Sequence, residues 1–365
     1  MKTKKIVIIA GDKSGDLYGG ALSKKIREKF KEVEIYSFGG EVLAQNSYQI
    51  INLISHSVSG IFEVISSLSK LIKIYHEALK AIETIKPDLI ILIDFPDFNL
   101  RLAKKINKKY PLFYYISPQV WAWRKKRINS IRKYVDKIVV IFKFEEELYK
   151  KENIDVLYFG HPLLDIVDNE KVEIKNVISF MPGSRKNEIR KHLPLMQKTK
   201  EILEKELKDY QFRIIKPPNL EKKLYERFSL SMDIIEHSYQ AIKESKFVIA
   251  SSGTATIEIT ILEVPYLIIY KINSLSWQIL KRIVNTEFIG MANILASEKI
   301  IEELLQKEAR PKKIAQLTLD YLKDEEKYLN LQKKLSKIKE KLLPYGASDK
   351  FAEFIGNFLK LPPLI

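Results

Sequence analysis

The sequence predicts an α/β protein built from two doubly wound, Rossmann-like parallel-sheet domains that face each other across a cleft. Continuous apolar β runs, such as residues 5–10 and 89–93, alternate with helical segments, which is typical of parallel strands covered on both faces. The alternation stops at a polar stretch near 165–175 and restarts at 176. A chain of 365 residues is also too long for one hydrophobic core, so we expect two domains.

Composition excludes several classes of protein. Hydrophobic residues make up 46% of the chain and charged residues 30%, which is a globular composition. The absence of cysteine excludes disulfides and thiolate zinc sites. No apolar run is long enough for a membrane span, and residues 6–10 are too short for a signal peptide. The net charge of +16 is compatible with nucleic acid, an anionic membrane or a phosphorylated substrate as a partner, so charge alone does not identify the partner.

The first βα unit resembles that of a nucleotide-binding domain. Residues 5–10 predict a strand, 11–16 a glycine-containing turn and 17–30 a helix. The turn lacks the Gly-x-Gly-x-x-Gly pattern, and the second strand, 34–38, ends without an acidic residue to hold the ribose of NAD. The chain also contains no P-loop pattern. Hydride transfer and ATP hydrolysis are therefore disfavoured.

Helical periodicity runs from Ser57 to Ile82, and the apolar face is wider than a core-facing stripe requires. One interpretation is a helix buried in its domain. The other is partial insertion into an anionic membrane surface, with lysines meeting the headgroups. The residues predicted at such a surface are Ile61, Phe62, Leu68, Leu71, Lys70 and Lys73.

Asp94 follows the apolar strand 89–93, at the strand end where open α/β sheets bind ligands. It is therefore a candidate general base. Asp97 is expected to cap the helix that begins near Leu100. Two carboxylates without a third ligand are weak evidence for a metal, and no Asp-x-Asp motif occurs in the chain.

Tryptophan and arginine cluster after the strand 113–116. Trp121 and Trp123 stand beside the consecutive cations 124–127, and the cluster is expected to face the same crevice as Asp94. Interleaved aromatic and cationic residues also occur in proteins that bind single-stranded nucleic acid. Salt-sensitive binding to oligonucleotides would favour that second class of function.

Two segments of the second half suit phosphate. Arg185 follows a glycine-serine turn at the end of the strand 176–180, where charge-assisted hydrogen bonds to an anion are expected. The strand ending at Ala250 runs into Ser251–Thr254 and then a helix, so backbone N–H groups and the helix dipole would face one place. An ordinary Ser/Thr cap explains this second segment equally well.

Taken together, the motifs resemble the lipid-A-disaccharide synthase family. The match runs in order across nearly the whole chain, and the tryptophan motif is its most specific part. The segments that carry it are 10–16, 93–99, 117–124, 160–162, 182–185, 252–258 and the region of Asn293.

This resemblance implies an inverting glycosyltransferase of the GT-B fold that needs no metal or other cofactor. The implied donor is UDP-2,3-diacylglucosamine, the acceptor is 2,3-diacylglucosamine 1-phosphate (lipid X), and the products are the β-1,6-linked disaccharide 1-phosphate and UDP. The implied location is the cytoplasmic face of the inner membrane of Gram-negative bacteria, and nucleic acid is not an expected partner. The expected domains are an acceptor-binding domain at 1–168, a donor-binding domain at 169–345, and a C-terminal helix at 346–365 that crosses back to the first domain.

The resemblance also implies roles for individual residues. Asp94 would be the catalytic base, Asp12 a second catalytic residue, and Glu258 would bind the ribose. Three positions depart from the family pattern: Asp12 replaces Glu, Ala292 replaces Pro, and Gln119 replaces Ser. The other expected donor-binding residues are Arg185, Ser252, Gly253, Thr254, Asn293 and Gln306, and those of the acceptor site or cleft are Ser14, Ser117, Gln119, Trp121, Trp123 and Arg124.

Alternatives within the GT-B fold stay open at this stage. The lipid-linked N-acetylglucosaminyltransferase of peptidoglycan synthesis would share the diphosphate site but should lack the tryptophan-arginine motif. A sugar epimerase would not need the wide apolar surface around residues 61–79. The sequence leaves the oligomeric state open, a homodimer included.

Overall fold

The computed structural model describes residues 3–54, 64–167, 170–218, 220–228, 230–283 and 286–364; at 64–70 and at four positions within 274–283 it describes the backbone alone. The chain forms two compact units. Unit 1 comprises Met1–Ile166 and Leu342–Ile365, and unit 2 comprises Val167–Lys341. The domain boundaries expected from the sequence lie at 168/169 and 345/346, a few residues further along the chain.

A parallel sheet forms the centre of unit 1. Within the described residues its strands are β1 (Lys4–Ala10), β2 (Val33–Gly39), β3 (Tyr48–Asn52), β4 (Leu89–Ile93), β5 (Leu112–Tyr115), β6 (Lys137–Val140) and β7 (Val156–Tyr158). They lie in the order β3-β2-β1-β4-β5-β6-β7. The direction of winding therefore reverses between the neighbours β1 and β4, and ligands of doubly wound sheets bind beyond the carboxyl ends of such a pair.

Helices cover the sheet of unit 1, and its central strands are buried because both faces are packed. Asp12 caps the first helix by accepting a hydrogen bond from the N–H of Gly15 at 2.7 Å. The helices before the first boundary are α1 (Lys13–Lys29), α2 (Glu41–Ala44), α3 (Val64–Ile85), α4 (Pro96–Ile106), α5 (Arg127–Tyr134), α6 (Lys143–Lys151) and α7 (Leu163–Ile166).

Unit 2 repeats the architecture with a second parallel sheet. Within the described residues its strands are β8 (Lys175–Met181), β9 (Gln211–Lys216), β10 (Asp233–Glu236), β11 (Ser245–Ser251), β12 (Tyr266–Tyr270) and β13 (Glu303–Leu305). Their order is β10-β9-β8-β11-β12-β13, so the winding reverses between β8 and β11. The helices are α8 (Lys186–Glu206), α9 (Lys222–Glu226), α10 (Tyr239–Lys243), α11 (Ala255–Ile261), α12 (Ser274–Ile283), α13 (Met291–Ala296), α14 (Pro311–Lys323) and α15 (Glu325–Glu340).

The C-terminal helix α16 (Ala347–Leu359) packs against α1 in unit 1. Asp165 caps it, because its two carboxylate oxygens accept from the N–H groups of Gly346 and Ser348 at 2.7 and 3.2 Å. Gly160 has a φ of +104°, and a Cβ there would collide with the carbonyl of Pro344. The segment 160–165 thus receives the returning chain.

The buried central strands were predicted closely, but three edge strands were not. The strands β3, β10 and β13 lie at or next to sheet edges and have mixed or exposed patterns rather than apolar runs. In the predicted helix 57–82, Ile61 and Phe62 lie outside the described residues, and Leu68 and Lys70 lie where only the backbone is described. None of the helices in the described residues combines the length and apolarity that a bilayer crossing requires.

Candidate active site

Asp12 and Asp94 meet at the carboxyl edge of the first sheet. Asp12 follows β1 and Asp94 follows β4, the two strands between which the winding reverses. The Asp12 side chain is close enough to act on the ionisation of the Asp94 carboxyl group, both through its charge and through a side-chain hydrogen bond. Ser14 donates a 3.1 Å hydrogen bond to Oδ1 of Asp12. The pairing of the two predicted catalytic aspartates thus follows from the strand order, which the sequence pattern does not determine.

Burial and the neighbouring Asp12 carboxylate raise the pKa of Asp94 well above its ordinary value. Hydrogen bonding to Asp12 raises it further, while Arg127 lowers it. A buried carboxyl group beside another negative charge ionises less readily, so Asp94 holds a proton more tightly than an exposed aspartate does. Asp94 is therefore a stronger base than an exposed aspartate, which suits proton removal from a hydroxyl.

The backbone around Asp94 has an unusual conformation. Asp94 and Phe95 both have positive φ values, of 41° and 46°. Tyr114 and Asn99 hold the carbonyl of Asp94 with hydrogen bonds of 2.6 and 2.8 Å. The ring of Phe95 lies so close to Gly11 that a Cβ on that glycine would collide with it. Tyr114 and Asn99 are positioning residues that the sequence analysis missed, although both follow the Asp94 strand in predicted elements.

A buried side chain of unit 1 holds the loop that follows β5 and carries Trp121 and Trp123. Glu145 is buried, and its Oε1 accepts from the hydroxyl of Ser117 and the indole N–H of Trp121, both at 3.0 Å. Burial raises the pKa of Glu145 to about 7. Ser117 is itself buried, and its expected place in the acceptor site or cleft stays a prediction. Gln119, in contrast, lies exposed on the turn.

Two arginines lie close to the Trp123 ring. The guanidinium carbons of Arg124 and Arg127 each lie 4.8 Å from the centre of its ring. Both arginines bind Oδ1 of Asp97, at 2.7 and 2.8 Å. The expectation that Asp97 caps a helix is wrong, because α4 begins at Pro96 and the side chain of Asp97 points to the arginines instead.

The turn before Arg185 is built around buried groups of α8. Gly183 has a φ of +111°, and a Cβ there would collide with Glu188, which accepts the N–H of Ser184 at 3.1 Å. Arg185 itself is exposed, with Nη1 3.5 Å from Glu188. Burial raises the pKa of Glu188, while the Arg185 charge acts in the opposite direction.

His192, two helical turns after Arg185, ties this turn to the neighbouring part of the sheet edge. It is fully buried, and Nδ1 lies 2.7 Å from the carbonyl of Pro182. Nε2 accepts the N–H of Lys271, which follows β12, at 2.9 Å. These contacts require a neutral ring with the proton on Nδ1. The spacing from Arg185 was the only pattern in the sequence that could have indicated this role.

The segment after β11 leaves polar groups uncovered at the second reversal point. Gly253 and Thr254 are exposed, Gly253 has a φ of +151°, and a Cβ on it would meet nothing within 4 Å. In the first turn of α11 the N–H groups of Thr256 and Ile257 donate to the carbonyls of Gly253 and Thr254, so the N–H groups that suit a ligand are those before Thr256. Ser252 donates to the carbonyl of Ile289 at 3.3 Å. Because β8 and β11 are neighbours, this segment and the Arg185 turn share one sheet edge.

Glu258 is paired within the protein. Its Oε2 lies 2.8 Å from Nε2 of His237, which follows the edge strand β10. Burial acts to lower the pKa of His237, but the hydrogen bond and charge of Glu258 raise it overall. The sequence analysis missed His237, because nothing in the short polar strand before it indicates a partner for Glu258.

The structure corrects the expected role of Asn293. The side chain is fully buried: its oxygen accepts from the N–H groups of Ile300 and Ile301, and its nitrogen donates to the Ile301 carbonyl and Glu303. No hydrogen-bonding capacity is left for a donor sugar, so Asn293 supports the loop instead. The amide of Gln306, in the orientation that its surroundings favour, exchanges two 3.2 Å hydrogen bonds with the backbone of Ile272.

His161 has a structural environment. It is buried against the rings of Tyr18 and Phe142, and Nδ1 accepts the N–H of Leu163 at 3.2 Å. Burial lowers the pKa of His161 to about 3, so the ring stays neutral. In the part of the chain that the structure describes, no group of three or more His, Cys, Asp or Glu side chains could hold a metal ion.

Two doubly wound parallel sheets, each with polar groups at its reversal point, define an α/β protein of the GT-B class of folds. Among solved structures, the chain is similar to a UDP-GlcNAc 2-epimerase from Neisseria meningitidis bound to UDP-GlcNAc, with 12% identity, a TM-score of 0.67 and coverage of 97% of this chain and 100% of that one. It is also similar to a spinosyn rhamnosyltransferase complexed with thymidine diphosphate, with 11% identity, a TM-score of 0.62 and coverage of 96% and 100%. The chain has the GT-B fold, which confirms the predicted fold class.

Sequence comparison separates the enzymes that share this fold. The family model for lipid-A-disaccharide synthetase matches residues 6–351. The lipid-A-disaccharide synthase of Syntrophus aciditrophicus (strain SB) is 35% identical over 379 residues, which cover 99% of each chain. The chain belongs to the lipid-A-disaccharide synthetase family and is a glycosyltransferase of lipid A biosynthesis, as the sequence motifs predicted.

Proposed function

We propose that this enzyme transfers 2,3-diacylglucosamine from UDP-2,3-diacylglucosamine to 2,3-diacylglucosamine 1-phosphate with inversion at the anomeric carbon. The products are the β-1,6-linked lipid A disaccharide 1-phosphate and UDP. The observation that carries the proposal is the Asp12–Asp94 carboxyl pair at the reversal point of unit 1, in a chain of this family.

In this proposal unit 1 binds the acceptor and Asp94 acts as the general base. The 6-hydroxyl oxygen of the acceptor forms the new bond to the anomeric carbon while its proton passes to the Asp94 carboxylate. The bond from the anomeric carbon to the diphosphate oxygen breaks, and its electron pair leaves with UDP. Burial and Asp12 raise the pKa of Asp94, which strengthens the base and means that the active, ionised form is lost as the pH falls.

Unit 2 binds the donor, and its cationic and N–H groups stabilise the leaving diphosphate. Arg185 and the exposed start of α11 at Gly253 and Thr254 lie at one sheet edge and suit the developing negative charge. Glu258, held by His237, is the proposed ribose ligand. Because fixed positive groups are available there, we propose that the reaction needs no metal.

We also propose that unit 1 contacts the cytoplasmic surface of the anionic inner membrane through α3. The observed features that support this are the exposed Ile72, Lys73 and Lys80 and the half-buried Leu71. Binding to phosphatidylglycerol vesicles should weaken when Ile61, Phe62 and Leu68 are replaced by Ser. Unchanged binding by a folded variant would assign this helix to the interior of the unit.

The decisive assay supplies both acylated sugars to the purified protein in the presence of EDTA. UDP release, disaccharide formation and the anomeric coupling constant of the product are followed together. We expect a β-linked disaccharide, and Asp94→Asn should abolish turnover while UDP-sugar binding survives. Folded wild-type protein that makes no disaccharide would refute the function, an α linkage would refute inversion, and loss of activity only in EDTA would refute metal independence.

A further inference from the structure

The cluster of Trp123, Arg124, Arg127 and Asp97 carries more positive charge than its one carboxylate balances. Both arginines use the same oxygen, Oδ1 of Asp97. The next two residues, Lys125 and Lys126, are exposed and make no ion pair within the described residues. A site of this composition has a net affinity for an anion.

Packing and hydrogen bonds hold the side chains of this cluster in place. Arg127 has only 10% of its side chain exposed, and both guanidinium groups lie against the Trp123 ring. The loop that carries them is anchored by buried Glu145 through Trp121 and Ser117. Arg124 remains 50% exposed and Asp97 65% exposed, so the outer side of the cluster is open to a ligand. Stacking fixes the orientation of the guanidinium forks before a ligand arrives.

The cluster also lies beside the proposed base. Asp97 is in the first turn of α4, three residues after Asp94, and the loop follows β5, which pairs with β4. The charge of Arg127 acts on the ionisation of Asp94. A group bound here would therefore belong to the molecule whose hydroxyl Asp94 deprotonates.

We propose that Arg124 and Arg127 bind the phosphate ester of the acceptor sugar, with Asp97 occupying this place until the acceptor arrives. The proposal rests on the proposed function, because it assumes a phosphorylated acceptor. Arginine forks match phosphate oxygens in bidentate geometry, and each charge-assisted bond is stronger than a neutral one. Because of these bonds, the enzyme should bind a phosphorylated acceptor more tightly than the same sugar without phosphate.

The test compares two acceptors, 2,3-diacylglucosamine 1-phosphate and 2,3-diacylglucosamine, at saturating donor. The measured quantity is the ratio of their kcat/KM values. In Arg124→Gln this ratio should fall by about 10-fold or more, mainly through a higher KM for the phosphorylated acceptor. Arg124→Lys keeps the charge but not the fork and should give an intermediate ratio. Arg101→Gln, an exposed arginine on α4, is the matched control and should keep the wild-type ratio.

Each failure has a separate meaning. Wild-type protein that makes no disaccharide from either acceptor refutes the proposed function. Active wild-type protein with no preference, or an Arg124→Gln variant that loses both acceptors equally, refutes the phosphate site. A phospholipid headgroup shares the same chemistry. If Arg124→Gln weakens binding to phosphatidylglycerol vesicles but leaves the acceptor ratio unchanged, the cluster binds headgroups and the proposal is wrong.

Discussion

The phenol hydroxyl of Tyr114 donates a 2.6 Å hydrogen bond to the backbone carbonyl of Asp94. Asp94 and Phe95 have consecutive positive φ values. This backbone conformation costs about 1–3 kcal/mol for each residue that is not glycine. Tyr114 is fully buried in β5, and Asn99 supports the same carbonyl from α4. The neighbouring strand and the following helix together stabilise the turn that presents the proposed base.

Tyr114→Phe removes one of these two supports. We expect the free energy of unfolding to fall by about 1 kcal/mol, as for other single hydrogen bonds. We expect kcat to fall about 10-fold, because a small displacement of a catalytic group is costly, while binding of the UDP-sugar is unchanged. Steady-state kinetics and urea unfolding measure the two effects separately.

Tyr158→Phe is the matched control for this change. The hydroxyl of Tyr158 also donates to a backbone carbonyl in unit 1, that of Leu343 at 2.7 Å, but away from Asp94. It should lose stability without a comparable loss in kcat. Equal kinetic effects of the two variants would contradict a positioning role for Tyr114.

His192 is the corresponding support in unit 2. His192→Asn preserves a donor near the Pro182 carbonyl but loses the bond to the Lys271 N–H. Loss of a buried hydrogen bond worth about 1–3 kcal/mol should raise the KM for the UDP-sugar roughly 5- to 150-fold, with kcat at saturating donor little changed. Burial lowers the pKa of His192, so the neutral ring that makes both bonds persists as the pH falls below the ordinary histidine range.

The control for His192 is His76→Asn, which changes an exposed histidine on α3. Its KM for the UDP-sugar should match the wild-type value. If His192→Asn also binds the donor normally, the Arg185 turn does not depend on this histidine.

The positions of Asp94, Arg185 and the 251–254 segment were predictable because each follows an apolar strand, and strand ends are where such sheets bind ligands. Their grouping was not predictable. It depends on strand order, which places β1 beside β4 and β8 beside β11 through contacts distant in sequence. The errors at Asn293 and Asp97 have a related cause. A polar residue in a motif has the same appearance in the sequence whether it faces a ligand or satisfies a buried partner such as Glu145 or Glu303.

Glu145 gives a pH-dependent prediction. Burial raises its pKa to about 7 from an ordinary value of 4.5. Below 4.5 the group is protonated in both the folded and unfolded chain, and above 7 the folded chain carries a buried charge. Its contribution to the free energy of unfolding should therefore fall by about 3 kcal/mol as the pH rises through this window.

Glu145→Gln should remove that pH dependence. The stability of the variant relative to wild type should rise between pH 4.5 and 7, on top of a constant offset from the changed contact with the Phe142 N–H. Glu147→Gln, at an exposed position on the same helix, should show a flat difference over the same range. A flat difference for Glu145→Gln would mean that the Glu145 carboxyl group titrates in the folded protein as it does in the unfolded chain, so that burial does not raise its pKa.

Substitution of two glycines of unit 1 should distinguish the cost of a left-handed backbone from the cost of a steric collision. Gly160 and Gly346 have φ values of +104° and +81°. A Cβ at Gly160 would collide with the Pro344 carbonyl, whereas the nearest atom to a Cβ at Gly346 is 3.8 Å away, on the flexible side chain of Lys350. Gly346→Ala should cost about 1–2 kcal/mol from the left-handed backbone alone. Gly160→Ala should cost more, on the order of 3 kcal/mol or above, because the C-terminal segment must also move. Equal losses in urea unfolding would show that segment 342–344 yields freely, and that Gly160 is required only for its backbone conformation.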